Sequence, residues 1–336
     1  MSMTNSPTFQ RVVLASRPRG EVLPENFRLE SASVPALAEG QVLVRNHFLS
    51  LDPYMRGRMS EAKSYATAQA LDDTMLGGAA GEVLASRHAR FAVGDQVVGM
   101  LGWAEMGVAD GAALRKVDTT HIPLSAYLGV VGMPGMTAWY GLTQIMAPKE
   151  GETVLVSAAS GAVGSAVGQL AKLRGCRAIG IAGGPEKCAY VVDELGFDAC
   201  IDYKAGRLAE DLAAAAPDGI DALFENVGGA GFDCALPLMN AFGRIALCGL
   251  IAGYNGDELA IRNMRYLLTS RISLRGFIVS EHMDLWPQGL AELGALVASG
   301  KLIYRETVAD GLAAAPEAFI GLLKGRNFGK QLVKLG

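Results

Sequence analysis

The pattern of hydrophobic and polar positions changes once along the chain, near Gly132. Before that point the apolar runs are short and end at turn residues, as in VLVRNHFLSL (42–51), GGAAGEVLAS (77–86) and FAVGDQVVGML (91–101). Runs of this length, bounded by Gly, Asp and Pro, are typical of β-strands. The first part of the chain therefore predicts a small β-barrel.

After Gly132 the chain alternates between strand and helix patterns. TVLVS (153–157) is apolar throughout, as expected of a strand buried on both faces. Apolar residues recur at helical spacing over 161–174. Further strands are predicted at 177–182, 199–202, 221–226, 244–250 and 273–279, with helices at 186–195 and 284–299. Repeated strand–helix units predict an α/β fold, a doubly wound parallel sheet of the Rossmann type.

A glycine-rich turn follows the first strand of this predicted sheet. In AASGAVGSAVGQLAK the glycines are Gly161, Gly164 and Gly168, a GxxGxxxG spacing rather than the strict GxGxxG. The turn Gly161, Ala162, Val163, Gly164 opens a helix, whose free N–H groups and positive dipole end attract a pyrophosphate. A similar turn serves flavin or S-adenosylmethionine in other α/β proteins, but the strand–loop–helix–strand order favours a dinucleotide.

The end of the second strand indicates which dinucleotide is bound. A site that prefers NAD places Asp or Glu there to accept the ribose 2′-hydroxyl. Here Gly183 and Gly184 occupy the strand end, and Lys187 follows within reach. A 2′-phosphate needs space and a cation, so we expect NADP rather than NAD. Glu186 is the one contrary residue, and Lys187 is also typical of a solvated first-turn lysine.

Charge and targeting signals narrow the class of protein. Thirty Lys and Arg against 34 Asp and Glu leave a net charge of −4, which argues against a nucleic-acid surface or a polybasic membrane patch. The start of the chain has no apolar signal-peptide core, and the most apolar stretch, 128–142, is interrupted by glycine and proline. We expect no membrane segment and a cytoplasmic protein.

The five cysteines all lie from Cys176 onward, without a CxxC pair. This distribution excludes a disulfide scaffold and a zinc ribbon, and it is typical of buried, small apolar residues. The first part also lacks paired histidines, since His47, His88 and His121 are isolated. We therefore expect no metal, and negative charge that develops in a reaction would be met by hydrogen-bond donors such as tyrosine.

Five motifs resemble one family. They are LSLDPYMRGRMS (49–60), GMPGMTAWYGL (132–142), AASGAVGSAVGQLAKLRGC (158–176), ENVGG (225–229) and GLLKGRNFGK (321–330). Together they are similar to the zinc-independent medium-chain dehydrogenases/reductases, and within them to the NADPH-dependent double-bond reductases that act on curcumin, prostaglandins and alkenals. The similarity extends over nearly the whole chain.

The resemblance implies two domains and a homodimer. A GroES-like substrate domain would comprise residues 1–130, completed by 295–336, and a Rossmann NADP-binding domain residues 131–294. The implied partner is a small-molecule enone or enal. The implied activity is reduction of the carbon–carbon double bond of α,β-unsaturated ketones or aldehydes, by hydride transfer to the β-carbon.

The resemblance also assigns cofactor contacts. Besides the loop at 161–164 they are Lys187 and Tyr203 at the 2′-phosphate, Asn226 beside the cofactor, Cys248, Gly249, Leu250, Tyr254, Phe277, Ile278 and Val279 along the nicotinamide and ribose, and Asn327 from the tail. Without the resemblance, Asn226 and Asn327 are equally typical of turns, and Tyr203 of a helix edge.

Three tyrosines are candidate catalytic residues, namely Tyr54, Tyr65 and Tyr254. A phenol near the substrate carbonyl would stabilise the enolate, although each is also typical of a half-buried packing residue. Where several relatives place a proton-relay tyrosine, this chain has Thr269, with Tyr266 three residues earlier. The alternatives to a double-bond reductase are a quinone oxidoreductase of the same superfamily and a catalytically silent NADPH-binding protein.

Overall fold

The computed structural model describes residues 8–336, so the first seven residues of the predicted first domain lie outside the description. The strands are β1 (Thr8–Leu14), β2 (Phe27–Ser33), β3 (Gln41–Ser50), β4 (Gly78–Ser86), β5 (Gln96–Met100), β6 (Met106–Asp110), β7 (Arg115–Lys116), β8 (Thr153–Ser157), β9 (Arg177–Ala182), β10 (Ala199–Asp202), β11 (Ile220–Glu225), β12 (Met239–Leu247), β13 (Ser273–Gly276), β14 (Glu306–Asp310) and β15 (Lys330–Lys334). The α-helices are α1 (Tyr54–Arg58), α2 (Met133–Tyr140), α3 (Gly164–Lys172), α4 (Pro185–Ala189), α5 (Leu208–Ala215), α6 (Gly229–Ala235), α7 (Arg265–Thr269), α8 (Trp286–Ala298) and α9 (Ala315–Leu323). None of the helices in residues 8–336 has the length and apolar character needed to cross a bilayer.

The chain forms two compact units. Among residues 8–336, the first contains residues 8–129, Glu306–Asn327 and Gln331–Gly336, and the second contains Val130–Arg305 and Phe328–Lys330. The return to the first unit is thus at Glu306 and not at residue 295 as the resemblance implies. The reason is local packing, because the Gln169 side chain binds both the N–H and the carbonyl of Ile303 and holds this stretch in the second unit.

The first unit is built from antiparallel strands. Its larger sheet has the order β14-β15-β3-β4-β5-β7, with β6 also paired to β3, and β1 and β2 form a separate hairpin-like pair. The long strand β3 bonds to β6 through its first half and to β15 through its last residues. Trp103 stacks on Phe27 and meets the edge of Phe319, and these rings centre the main core of this unit.

The second unit is a six-stranded parallel sheet in the order β10-β9-β8-β11-β12-β13. This is the strand order 3-2-1-4-5-6 of the Rossmann fold, so the predicted fold class is confirmed. The order reverses between β8 and β11, and ligands of such sheets bind where the carboxyl ends of these strands diverge. Every residue of β8 is buried, as its uninterrupted apolar pattern predicts.

Candidate functional site

The turn between β8 and α3 is held in a strained, compact shape. Ala158 has a φ of 50°, in the left-handed region that non-glycine residues rarely adopt, and its carbonyl accepts from the N–H of Gly161 at 2.9 Å. A Cβ at Gly164 would overlap that same carbonyl oxygen. Glycine at 164 therefore lets the helix begin directly against the turn.

The start of α3 has the chemistry of an anion site. Within the described part of the chain, no side chain caps α3, so the N–H groups of its first turn are not used by a capping residue. A Cβ at Gly168 would overlap the Phe197 ring, so this glycine lets α3 lie close to the sheet. The N-terminus of α3 and the positive end of its dipole together fit a pyrophosphate.

A segment from the far end of the chain pairs with this turn. Gly329 donates its N–H to the Ser160 carbonyl at 2.9 Å and forms a parallel bridge with Gly161. A Cβ at Gly329 would overlap the carbonyl oxygen of Arg305, and its φ is 59°. Only glycine fits there, and the contact places Phe328 and Arg305 beside the glycine-rich turn.

The ends of β9 and β10 are tied together by Asp202. Its carboxylate accepts from the N–H of Gly184 at 2.7 Å and from the N–H of Lys204 at 2.9 Å. A Cβ at Gly183 would lie 2.8 Å from Cε1 of Tyr203. The sequence suggests that Gly183 leaves open space at the strand end for the ribose phosphate. In the structure, the Tyr203 ring lies in that space. Its missing side chain lets the Tyr203 ring approach.

Three cations and two aromatic rings surround this point. Lys187 Nζ lies 5.3 Å from the centre of the Phe328 ring, and Arg305 Cζ lies 4.3 Å from the same centre. Lys204 Nζ lies 5.8 Å from the centre of the Tyr203 ring. Burial, and then the charge of Lys204, lower the pKa of Lys187. A positive, partly desolvated cluster of this kind binds a phosphate well.

Sequence reasoning found only part of this cluster. Lys187 and Tyr203 were expected at the 2′-phosphate, whereas Lys204, Arg305 and Phe328 were not. Lys204 directly follows Tyr203, so adjacency is a usable signal. Arg305 and Phe328 reach the cluster only through the tertiary contact of the tail, which has no local sequence signature.

A buried carboxyl group organises the end of β11. Glu225 is 1% exposed, and its Oε1 accepts from the Ser157 hydroxyl at 2.9 Å and from the N–H groups of Val227 at 2.6 Å and Gly228 at 2.7 Å. Burial raises the pKa of Glu225. This residue, which the sequence did not single out as a functional group, fixes the turn that carries Asn226.

Asn226 joins three strand ends. Its Nδ2 donates to the Ser157 carbonyl at 2.7 Å, its Oδ1 accepts from the Cys248 thiol at 2.9 Å, and its N–H donates to the Ser157 hydroxyl at 2.7 Å. The side chain thereby links β8, β11 and the segment after β12. Its contact with a cofactor remains a prediction from the resemblance.

The expected nicotinamide-lining residues follow β12 and β13. Gly249 donates its N–H to the Glu225 carbonyl at 3.3 Å, and the Leu250 N–H faces the Tyr254 hydroxyl at 3.5 Å. Phe277 bonds through its N–H to Leu247, at 3.3 Å. Ile278 and the buried Val279 follow directly. These residues share the carboxyl edge of the sheet with Asn226 and with the loop at 161–164.

Two of the three candidate tyrosines lie in the first unit. Burial raises the pKa of the half-buried Tyr54, at the start of α1, and that of Tyr65 in the loop that follows. The charge of Arg58 opposes this rise in pKa at both tyrosines. Arg58 also donates to the Thr67 carbonyl at 3.0 Å. Asn327 ends the second stretch of this same unit.

The position of the relatives' relay tyrosine is occupied by the last residue of α7, Thr269. Tyr266 packs against the core of the second unit, among residues such as Leu236 and Ile245, and Arg265 lies over its ring. Tyr266 is therefore a packing residue rather than a displaced relay group.

His47 and His88 each contact different neighbouring residues and not each other. His47 lies 3.8 Å from Glu82, and His88 packs on Phe91. In residues 8–336 there is no group of three or more His, Cys, Asp and Glu side chains placed to hold a metal ion.

Comparisons with known proteins match both units. Residues 10–117 match the family model described as the N-terminal domain of oxidoreductase, and residues 162–295 match the model described as zinc-binding dehydrogenase. The NADPH-dependent curcumin reductase of Escherichia coli strain K12 is 47% identical over 333 residues, which cover 97% of this chain and 96% of that protein. The 2-alkenal reductase (NADP(+)-dependent) of Nicotiana tabacum is 41% identical over 341 residues, 98% of each chain. The crystal structure of CurA in complex with NADPH from Vibrio vulnificus aligns with a TM-score of 0.93 at 48% identity, covering 97% of this chain and 99% of that one.

Proposed function

The chain belongs to the zinc-independent medium-chain dehydrogenases/reductases, and we propose that it uses NADPH to reduce the carbon–carbon double bond of α,β-unsaturated ketones and aldehydes. One observation carries this proposal. Two relatives that match almost the entire chain are named for curcumin and for 2-alkenals, and both compounds contain an alkene conjugated to a carbonyl. Domain roles follow the family, with the second unit binding NADPH and the first contributing to the substrate site.

The residues of the second unit fit NADPH. The backbone at Gly161, Ala162, Val163 and Gly164 would hold the pyrophosphate at the N-terminus of α3. Lys187 and Tyr203, with Lys204 beside them, would hold the 2′-phosphate. NADPH, when bound, supplies the hydride that is added to the β-carbon of the substrate.

The carboxyl edge of the sheet would position the nicotinamide end. Glu225 and Asn226 keep the ends of β8, β11 and β12 in one fixed arrangement. Backbone groups of Cys248, Gly249 and Leu250, and those of Phe277, Ile278 and Val279, would then line the ring and ribose. Asn327 would add a contact from the tail.

A tyrosine would stabilise the negative charge that develops on the substrate oxygen. We favour Tyr254, because its hydroxyl lies in the same segment as the expected nicotinamide contacts, facing Leu250 N–H at 3.5 Å. Tyr54 and Tyr65 are the alternative donors from the first unit.

A panel of substrates separates this function from its alternatives. NADPH absorbance would be followed with an enone, a 2-alkenal, a quinone and a saturated ketone. Oxidation with the enone and the alkenal, and little with the quinone, supports the proposal. Preferential turnover of the quinone would identify a quinone oxidoreductase, and tight NADPH binding without any turnover would identify a silent binding protein.

We also propose a homodimer formed through β13. This strand is last in the sheet, all four of its residues are exposed, and Leu274 is 40% exposed. An edge strand with free N–H and carbonyl groups can pair with the same strand of a second copy. Sedimentation velocity tests this, and Leu274→Lys should shift a dimer towards monomer.

The compartment that we propose is the cytoplasm. Five free thiols and the similarity to a bacterial reductase that uses NADPH support it. Cell fractionation of the tagged full chain tests this, and recovery in a secreted or membrane fraction would contradict it.

A further inference from the structure

Residues 255–264, which we call the strap, connect the turn at Tyr254 to α7 without a helix or a strand. The strap begins immediately after Tyr254, the tyrosine that we favour as the donor to the substrate oxygen. On the other side of Tyr254 the backbone is fixed, because the N–H of Ala252 donates to the Val227 carbonyl at 3.0 Å. The position of the Tyr254 phenol therefore depends also on what holds the strap.

Asp233, on α6, fastens the far end of the strap. Its Oδ1 accepts from the N–H of Arg262 and from the N–H of Asn263, both at 2.8 Å. The Asn263 side chain adds two bonds, since its Nδ2 donates to the Asp233 carbonyl at 3.1 Å and to Asp233 Oδ2 at 3.2 Å. Four hydrogen bonds, three of them to the carboxyl group, thus join Asp233 to two consecutive residues of the strap.

The helix that follows the strap has its own anchor in the core. Tyr266 and Leu267 of α7 pack against the main apolar cluster of the second unit. Arg262 and Asn263, the two residues that Asp233 holds, come before that helix. The bonds of Asp233 therefore restrain the strap itself, while α7 is held by apolar packing.

A leucine in the middle of the strap packs on two glycines. A Cβ at Gly253 would lie 3.0 Å from Cδ1 of Leu259, and a Cβ at Gly228 would lie 3.1 Å from the same carbon. Gly228 has a φ of 77°, in the left-handed region, and its N–H belongs to the turn that Glu225 fixes. The Leu259 side chain thus occupies the space that the two glycines leave, between the turn after β11 and the turn that leads to Tyr254.

We propose that Asp233 is a positioning residue for the reduction, because it fastens the strap and the strap keeps the Tyr254 phenol in place for the substrate oxygen. This inference rests on the proposed function, in which Tyr254 stabilises the developing enolate. Asp233 acts through Tyr254 and not on the substrate itself. Release of the strap would let Leu259 leave Gly253, and the turn before Tyr254 would lose that support. Misplacement of a reacting group by about 1 Å is enough to lower a rate about 100-fold.

Hydrogen–deuterium exchange tests the fastening and needs no enzyme activity. In the full chain, Asp233→Ala removes three of the four bonds, so amide exchange over 255–263 should become about 10-fold faster while exchange in β8 stays unchanged. Asp233→Asn keeps an oxygen that accepts from both N–H groups, and its exchange should stay near that of the unmodified chain. Asp193→Ala, at an exposed aspartate of the same unit, is the matched control and should alter neither region. Unchanged exchange over 255–263 in Asp233→Ala would overturn the proposal.

The rate of enone reduction tests whether Asp233 acts through Tyr254. Asp233→Ala should lower kcat about 10-fold and leave the NADPH dissociation constant within about 2-fold, and Asp233→Asn should restore most of kcat. In the Tyr254→Phe background, Asp233→Ala should change kcat by less than about 2-fold, because the phenol that it displaces is already absent. Losses that multiply in the double variant would refute action through Tyr254. A kcat unchanged by Asp233→Ala, with only the free energy of unfolding lowered, would show that Asp233 serves the fold alone.

Leu259→Ala is the second variant, for use if Asp233→Ala does not fold. It keeps the bonds of Asp233 but removes the side chain from Gly253, so kcat should fall about 5-fold while Tyr254 is present and should not fall in the Tyr254→Phe background. An unchanged kcat in Leu259→Ala would contradict the role of the strap. An unmodified chain that reduces no enone would instead refute the proposed function, and the exchange measurement would still decide whether Asp233 fastens the strap.

Discussion

The proposed nucleotide site of the second unit is built in two different ways at its two ends. The turn from Ala158 to Gly164 is local, and it depends on backbone shape and on glycines with no room for a side chain. The phosphate cluster around Lys187 is assembled from four separate segments through rings and charges, including Phe328 and Arg305 from the distant tail. The first has no space for a Cβ at Gly164, and the second is a sum of contacts that are individually modest.

This difference predicts how each end fails. A change in the turn should affect folding and all nucleotides alike, because every phosphate donor moves with the backbone. A change in the cluster should affect NADPH but not NADH, because only NADPH carries the 2′-phosphate. The ratio of the NADPH affinity to the NADH affinity therefore shows whether a substitution acts on the turn or on the cluster around Lys187.

The largest effect is expected from Gly164→Ala. The new Cβ overlaps the Ala158 carbonyl, so the turn must shift by about 1 Å and NADPH and NADH should both bind about 100-fold more weakly. The free energy of unfolding should fall by about 1–3 kcal/mol, measured by urea denaturation. Gly231→Ala on α6 is the control, since its Cβ would meet Ile181 at an ordinary 3.7 Å. Unchanged affinity of Gly164→Ala for NADPH and NADH would contradict the claim that the turn depends on glycine at this position.

Tyr254→Phe tests a side chain that would act on the rate and not on binding. Loss of its hydroxyl should lower kcat for an enone about 100-fold, while the NADPH dissociation constant stays near that of the unmodified chain. Tyr266→Phe, at a packing tyrosine of the same unit, should leave kcat unchanged. An unchanged rate in Tyr254→Phe would remove it from the mechanism and leave Tyr54 and Tyr65 as the donors to be tested in the same way.

Lys187→Ala should separate the two cofactors. Loss of a charged contact to the 2′-phosphate should weaken NADPH binding about 10- to 100-fold, and NADH binding should not change. Lys149→Ala, an exposed lysine of the same unit, serves as the matched control. Equal losses for NADPH and NADH would show that Lys187 supports the fold rather than the phosphate.

The pH dependence should show the same selectivity. Because burial and Lys204 lower the pKa of Lys187, its charge is lost at a lower pH than the ordinary value of 10.5. Affinity for NADPH should therefore be full near neutral pH and decrease as the pH rises through the lowered pKa, with little change for NADH. Calorimetric titrations over this range check it, and Lys187→Arg should flatten the decrease. A decrease shared by both cofactors would contradict the assignment.

The smallest effect is expected from Phe328→Leu, which removes the ring that Lys187 and Arg305 both face. NADPH affinity should fall about 3-fold, as for the loss of an exposed cation–π contact. Phe242→Leu provides a matched control, because Arg271 lies 4.5 Å from its ring centre at another part of the unit. Equal behaviour of the two variants would mean that the Phe328 ring does not help to place the cations.

The same contrast explains what could be predicted from the sequence. The strands β8 and β9 have the bounds that their apolar runs predict, because a strand buried on both faces leaves an uninterrupted signal. The bounds of the partly exposed edge strand β10 also match the prediction. The helix expected over 186–195 is regular only to Ala189 and continues as a wider π-helical turn over Tyr190–Glu194. Gly161 and Gly164 were found because their role is local, whereas Arg305 and Phe328 were missed because their role arises only from long-range contact. Glu225 was missed because a buried carboxyl group that bonds to a turn carries no distinctive motif.

The most direct test of the central claim is the product of one reaction. The protein would be incubated with an enone and NADPH deuterated at the transferable position of C4, and the product would be identified by NMR. We expect deuterium on the carbon β to an intact carbonyl. An allylic alcohol with deuterium on the carbon that bears the hydroxyl group, or recovery of the unchanged enone, would contradict the proposed double-bond reduction.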